Sequence, residues 1–301
     1  MTAFGDAVRK HELVVDLLSR CTFPKPGIKV DCAVSGGADS VALLVLAVAS
    51  GCEATAWHVD HHLRPDGARE AALVQALAER LGCGFELRHV TVDDSANVEA
   101  RARDARFAVL PQGVMTGHTA DDQAETMLVN LIRGAGSRGL AAMTPSTSKP
   151  ILALRRSETH ALCSALGLEV VVDPTNDSPA FQRNRIRNEV MPLLADIAAR
   201  DVVAVLTRQA DLLRDDDALL DELARALDPT DAKALMAAPR ALARRAVRLW
   251  LSDRYPPDVA TVDRVLGVAA GEATACDIEG ARRVRRSQQR LILEDIDPQK
   301  S

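Results

Sequence analysis

Six residues, Ser35-Gly36-Gly37-Ala38-Asp39-Ser40, constrain this chain more than any other feature. Before them, Ile28–Val34 reads as a buried strand, rich in β-branched residues and preceded by Pro24, Pro26 and Gly27; an apolar helix follows from Val41. A glycine-rich turn between strand and helix lets backbone N–H groups approach anionic oxygens, and the helix start adds partial positive charge. No lysine closes the turn, as it would in a Walker loop. The turn instead carries a carboxylate, Asp39, suited to a Mg2+ bridge. The bland alternative is an ordinary turn before a helix.

The rest of the first two-thirds repeats the alternation. Ala54–Val59, Phe85–Val92 and a short Val114–Thr116 read as strands. Residues 11–20, 68–81, 98–110 and 121–132 read as helices, the last with Met127, Leu128, Leu131 and Ile132 as its apolar set. This predicts an α/β fold: a doubly wound, mostly parallel sheet, covered on both faces, between residue 28 and about 172. Ligands in such sheets bind beyond the carboxyl ends of the strands. The glycine-rich turn, His58–His62 and Gly117–Asp122 all follow strand ends, so they should converge. After Pro192 the pattern becomes helical over 196–226 and 240–270, with a hairpin over 277–294. The expected division is 1–205 for the nucleotide-binding domain and 206–301 for a smaller, mainly helical domain.

Composition removes other classes. The 37 Lys and Arg against 42 Asp and Glu give a net charge of -5, which argues against a uniformly basic nucleic-acid coat but leaves room for a local basic patch. Six dispersed cysteines with no C-x-x-C fit reduced thiols in a cytoplasmic protein. The longest apolar run, Val41–Ala49, is far short of the roughly 20 residues that cross a bilayer, so no membrane partner is expected. The charged N-terminal stretch has no apolar core of a secretory signal.

A second constellation is Gly117-His118-Thr119-Ala120-Asp121-Asp122-Gln123-Ala124-Glu125-Thr126. Asp122 and Glu125, three apart, share a helix face. Across the sheet from Asp39 they would suit Mg2+ and an amine, although acidic residues at a helix start can simply answer its dipole. A third group is Asp173–Asp177 followed by Arg183, Asn184, Arg185 and Arg187, whose guanidinium forks suit phosphate. Arg244, Arg245 and Arg248, and Arg282, Arg283, Arg285, Arg286 and Arg290, read equally as RNA contacts or solvated surface. His58, His61 and His62 lack zinc spacing, Ser137 lacks the context of a nucleophile elbow, and Trp250 reads as core.

SGGADS after a strand resembles the PP-loop of the N-type ATP pyrophosphatases. HVDHHLRPDGARE (58–70), NVEARARDARFAVL (97–110), GHTADDQAETMLVNLIRGAGSRGL (117–140) and DPTNDSPAFQRNRIRNEVMPLL (173–194) resemble, in order, the tRNA(Ile)-lysidine synthases. His62, Phe107 and Lys149 depart from that family's usual residues without removing a charged position, and the chain ends before the extra C-terminal domain of longer members. The resemblance implies a ligase that uses ATP with Mg2+ to adenylate the wobble cytidine of tRNA(Ile) with anticodon CAU at O2, which activates C2. Free L-lysine then displaces AMP to form lysidine. It implies that Ser35, Gly36, Gly37, Ala38, Asp39 and Ser40 hold ATP and that Asp39 and Asp122 hold the metal. Asp122 and Glu125 would hold the lysine ammonium, one of them taking its proton. Arg103 and Arg106 would stabilise the pentacoordinate phosphorus, and Arg183, Asn184 and Arg187 would contact tRNA or the α-phosphate. The sequence does not set the oligomeric state, and a homodimer is one of the assemblies left open. Rivals are a sister thiolase, disfavoured by the absence of clustered cysteines; an amidotransferase, disfavoured by Thr2 after Met1; and a non-catalytic RNA binder, disfavoured by the carboxylates.

Overall fold

The computed structural model describes residues 2–60, 67–90, 107–172, 178–253 and 256–296. The expected histidines His61 and His62, the arginines Arg103 and Arg106, and Asp173–Asp177 lie outside these.

Three parallel strands, β1 (Lys29–Ala33), β2 (Glu53–Asp60) and β3 (Gly84–His89), form a sheet in that order. β1 and β2 are each followed by a helix that returns the chain to the start of the next strand. Between β1 and β2 runs α3 (Ala38–Ala49), preceded in the chain by α1 (Ala3–Lys10) and α2 (Glu12–Leu18); between β2 and β3 runs α4 (Gly67–Leu81). The residues of α3 from Val41 to Ala47 are at most 2% exposed. A helix apolar on every side has to be buried, and α3 forms the centre of the core with Leu17, Val30, Cys32, Ala56, Leu81 and Ile151.

The expected strand at Val114–Thr116 reduces to one parallel bridge, Met115 beside Cys32, with Ala33 N–H donating to Met115 O (2.9 Å) and Met115 N–H to Asp31 O (2.8 Å). It lies on the side of β1 opposite β2. The chain therefore leaves β1 in one direction and comes back on the other, which makes the end of β1 a topological switch point.

Four further differences from the sequence reading have local causes. Residues 11–20 yield only Glu12–Leu18, and α1 precedes it because the Thr2 hydroxyl caps the Gly5 amide at 3.1 Å. The third strand stops at His89. In α5 (Ala120–Ile132) Leu131 and Ile132 are exposed; the buried part of this helix is its N-terminal half, where charged residues make the contacts. The C-terminal hairpin is a three-stranded antiparallel sheet, β4 (Ala275–Ile278), β5 (Arg282–Ser287) and β6 (Arg290–Asp295), turned at Ala281 and Gln288 with φ of 53° and 57°.

The chain divides into two compact units, 1–210 and 211–301. The first also contains a helical turn α6 (Ser137–Leu140), α7 (Arg156–Ala165), α8 (Gln182–Arg185), a π-turn over Ile186–Val190 and α9 (Met191–Ala198), which ends at left-handed Ala199. The long α10 (Val202–Arg225) contains the division. The second unit buries Leu235, Val247, Leu251, Val265 and Val284 between α11 (Ala232–Ala237), α12 (Arg240–Leu251), α13 (Val259–Ala270) and its sheet, with Trp250 partly buried against them. No helix among the described residues is long and apolar enough to cross a membrane.

Candidate active site

The SGGADS turn sits at the switch point. Gly36 has φ +93° and donates no room to a side chain: a Cβ there would lie 2.7 Å from Val171 Cγ2, and Val171 N–H bonds Gly36 O at 2.9 Å. Gly37 caps α3 with its carbonyl, which accepts the Ser40 and Val41 amides at 3.0 Å, and no side chain caps this helix start. Ser40 Oγ donates to Gly37 O (2.8 Å), accepts Ser35 N–H (3.2 Å) and lies 3.3 Å from Ser35 Oγ, so the two hydroxyls close the turn. His58, also at a strand end, is buried with Nδ1 2.8 Å from Val34 O.

The loop before α5 lies directly against this turn. A Cβ on Gly117 would stand 2.7 Å from Asp39 O and 3.0 Å from Ser40 N, so only glycine allows the two backbones to meet. Asp122 divides its carboxylate between two tasks. Oδ2 accepts the Thr119 amide (2.8 Å) and hydroxyl (2.9 Å), capping the helix, while Oδ1 faces the site. Glu125, one turn on, is 1% exposed.

A residue the sequence reading passed over joins them. Arg156, the first residue of α7, places Nε 3.4 Å from Asp39 Oδ2, one terminal nitrogen 2.9 Å from Glu125 Oε1 and the other 3.1 Å from Asp122 Oδ1. The three predicted carboxylates, from two different motifs, thus meet on one guanidinium. Asp121 secures the arrangement from behind, accepting Arg156 N–H at 2.8 Å and Arg155 Nε at 3.1 Å, while Arg155 also pairs with Asp201. Thr159 on α7 hydrogen-bonds Asp39 as well.

The arginine-rich stretch converges on the same point. Arg183 reaches Glu125 Oε2 (2.8 Å) and Asp122 Oδ1 (2.9 Å), and Arg187 reaches Glu125 Oε1 (2.7 Å) and Oε2 (3.0 Å). Arg185 points elsewhere and pairs with Glu189. Asn184 donates to Ser178 O at 3.0 Å within its own turn. A single π-turn, a feature frequent at functional sites, follows Arg183 and carries Arg187.

These surroundings set opposite charge preferences. Burial pushes the Asp39 carboxyl up, against the opposing pull of Thr159 and Arg156. Burial would also raise Glu125, but the Arg187 hydrogen bond and the charges of Arg156, Arg187 and Arg183 prevail and hold it down at about 2. A carboxylate so held is an anchor for a cation.

Beside the cluster a cavity of about 220 Å³ is lined by charged residues, Asp121, Glu125, Arg155, Arg156, Arg187 and Asp201, together with Met191, Pro192, Ala195, Val202 and Val203. The arginines expected on the second unit are differently employed. Arg244 pairs with Asp263, Arg245 with Asp217 and Asp221, Arg283 with Asp277, Arg285 with Glu294 and Arg290 with Asp228.

The PP-loop domain family matches residues 11–194, and the TilS substrate binding domain family matches 231–292. A tRNA(Ile)-lysidine synthase of Nocardia farcinica is 44% identical over 237 residues, covering 73% of this chain and 74% of that one. The chain belongs to the tRNA(Ile)-lysidine synthase family. A second tRNA(Ile)-lysidine synthase, of Rhodococcus erythropolis, is 42% identical over 245 residues and 75% of each chain. Among solved structures, the U34-tRNA thiolase NcsA from Methanococcus maripaludis matches with a TM-score of 0.56 at 16% identity, covering 70% of this chain and 80% of its own, a likeness of fold. Within the lysidine-synthase family, Arg156 could have been suspected from sequence. Arg155 and Arg156 open a helix, where the macrodipole disfavours cations, so their placement demands acidic partners from elsewhere.

Proposed function

We propose that this chain forms lysidine in tRNA(Ile) with a CAU anticodon, consuming ATP and free L-lysine and releasing AMP and pyrophosphate. The observation that carries this reading is the meeting of Asp39, Asp122 and Glu125 at Arg156, beside a phosphate-type turn. A site built only to hold anions gains nothing from two buried carboxylates and a half-buried third; one that must also hold cations needs them.

In this reading the turn Ser35–Ser40 binds the polyphosphate through its amides and hydroxyls. Asp39 and Asp122, both in contact with the Arg156 guanidinium, would offer hard carboxylate oxygens to Mg2+. The ion, when bound, neutralises charge as the α–β phosphate bond breaks. Attack of cytidine O2 on the α-phosphate gives the adenylated base, and attack of the lysine ε-amine on C2 then expels AMP. Glu125, with Asp122 Oδ1, anchors and orients that amine. The cavity suits the rest of the amino acid: apolar side chains in its lining would take the methylenes, and Arg155 and Asp201 would exchange their mutual pairing for the α-carboxylate and α-ammonium. Arg183 and Arg187 offer guanidinium forks to the α-phosphate or to the tRNA backbone. Arg103 and Arg106 keep the role the resemblance implies.

The deciding experiment is mass spectrometry of the wobble nucleoside after incubation with ATP, Mg2+, labelled lysine and unmodified tRNA. Labelled lysidine with stoichiometric AMP is expected. AMP formed without lysine incorporation, or a sulfur-containing nucleoside, would refute the reading.

A further inference from the structure

The charges around Arg156 balance in a way that this reaction has to disturb. Asp39, Asp122 and Glu125 are matched by Arg156, Arg183 and Arg187 through seven ion pairs at 3.9 Å or less, Arg156 being the one of the three that reaches Asp39. A divalent cation and an ammonium would therefore arrive at carboxylates already engaged by guanidinium. Adding positive charge to a buried, balanced cluster is costly, because the low dielectric strengthens like-charge repulsion.

A nucleotide brings the opposite charge to the same place. Asp39 lies in the first turn of α3, whose leading amides face the phosphate-type turn. Among the described residues Arg156 alone touches both this helix and the α5 pair. Its backbone is fixed by Asp121 at 2.8 Å, so only its side chain has to move. The contact to Asp39, at 3.4 Å, is the longest of its three and faces the turn. A guanidinium binds phosphate with the same fork that it offers a carboxylate.

We propose that Arg156 is an exchangeable counter-ion: it neutralises Asp39, Asp122 and Glu125 until nucleotide phosphates draw it away, so that lysine binds tightly only once nucleotide is in place. The proposal rests on the reading of the site as one that uses ATP and lysine. Because coupling between two binding events is reciprocal, lysine must strengthen nucleotide binding by the same factor.

Equilibrium dialysis of labelled L-lysine against the full chain tests it, with no addition, with Mg2+ alone, and with Mg2+ plus a non-hydrolysable ATP analogue. Nucleotide should tighten lysine binding by about tenfold or more, inside the 5–150-fold range usual for coupled sites, and Mg2+ alone should not. Arg156→Gln should bind lysine without nucleotide more tightly than the parent, with the coupling reduced towards one; Arg156→Lys, which keeps a charge but cannot span three carboxylates, should fall between. Equal lysine affinity with and without nucleotide in the parent chain overturns the proposal while lysidine formation stands. So does an Arg156→Gln chain that loses lysine affinity equally in both states, since that marks a rigid strut. Absence of lysine binding in every condition, together with an unmodified wobble nucleoside, overturns the proposal and the functional reading together. Should Arg156→Gln fail to fold, the parent and Arg156→Lys measurements decide by themselves.

Discussion

Among the described residues each unit holds a cluster in which buried carboxylates meet partly buried arginines, and the two are built to opposite ends. In the second unit Arg245 lies between Asp217 (2.6 Å) and Asp221 (2.7 Å), one helical turn apart on α10, and also bonds Asp217 O at 2.9 Å. That arrangement staples α12 to α10, and each acid is less than a tenth exposed. In the first unit three acids and three arginines come from α3, α5, α7, α8 and the π-turn, share partners repeatedly and border a cavity. Burial and ion pairing alone therefore do not mark a site. What separates the two is connectivity: a staple has one solution, whereas an over-connected cluster can trade partners when another ion arrives.

The sharpest way to break this contrast is Arg245→Ala. It removes the shared partner of two buried acids, leaving Asp221 its longer contact to Arg225 at 3.3 Å, and should cost up to about 3–5 kcal/mol in denaturant unfolding. The combined Asp217→Leu, Asp221→Leu, Arg245→Met chain should recover most of that loss if the second cluster is only structural. Recovery of stability without recovery of tRNA affinity would instead assign it a part in binding.

Glu125→Gln should act the other way round. Lysidine formation should fall by about 10²–10³-fold, the effect of removing one preorganised electrostatic partner, while tRNA-dependent pyrophosphate release falls by less than tenfold. Equal loss in both assays would mean that Glu125 serves adenylation and not the amine. Asp39→Asn is the mirror case: pyrophosphate release should drop by at least about tenfold, with lysine binding little changed.

The smallest effects are in pH dependence, and here the two acids should differ in sign. Glu125, held at about 2 in the folded chain, contributes stability that is complete above its ordinary value near 4.5 and is lost as pH falls towards 2. Asp39, raised by burial, contributes stability below its ordinary value of 3.8 and loses it as pH rises through the folded-state value. Asp39→Asn should therefore raise the melting temperature slightly at neutral pH, whereas Glu125→Gln should flatten acid unfolding between about 4.5 and 2. A fall in melting temperature for Asp39→Asn at pH 7 would contradict the burial argument.

The parts of the site that were legible in the sequence are those whose chemistry is written locally. SGGADS and GHTADDQAET each place a turn at a strand end and a helix start behind it, so their convergence followed from sheet topology. Arg156 was not legible in that way. Its role depends on where α7 packs relative to α3 and α5, a long-range fact that no spacing encodes. The helices were recovered where apolar periodicity ran strongly, as in α3 and α4. The third C-terminal strand escaped because Arg282, Arg283, Arg285 and Arg286 hide the single inward valine, Val284, that marks the strand's buried row.

The division of labour within Asp122 reaches beyond the site. One of its oxygens fastens the start of α5, so the other is already aimed when that helix first winds. Orientation at this corner is thus acquired during folding and not at the moment of substrate capture. A drift that loosens the helix start would blunt the chemistry with it, and evolution cannot tune either property here in isolation.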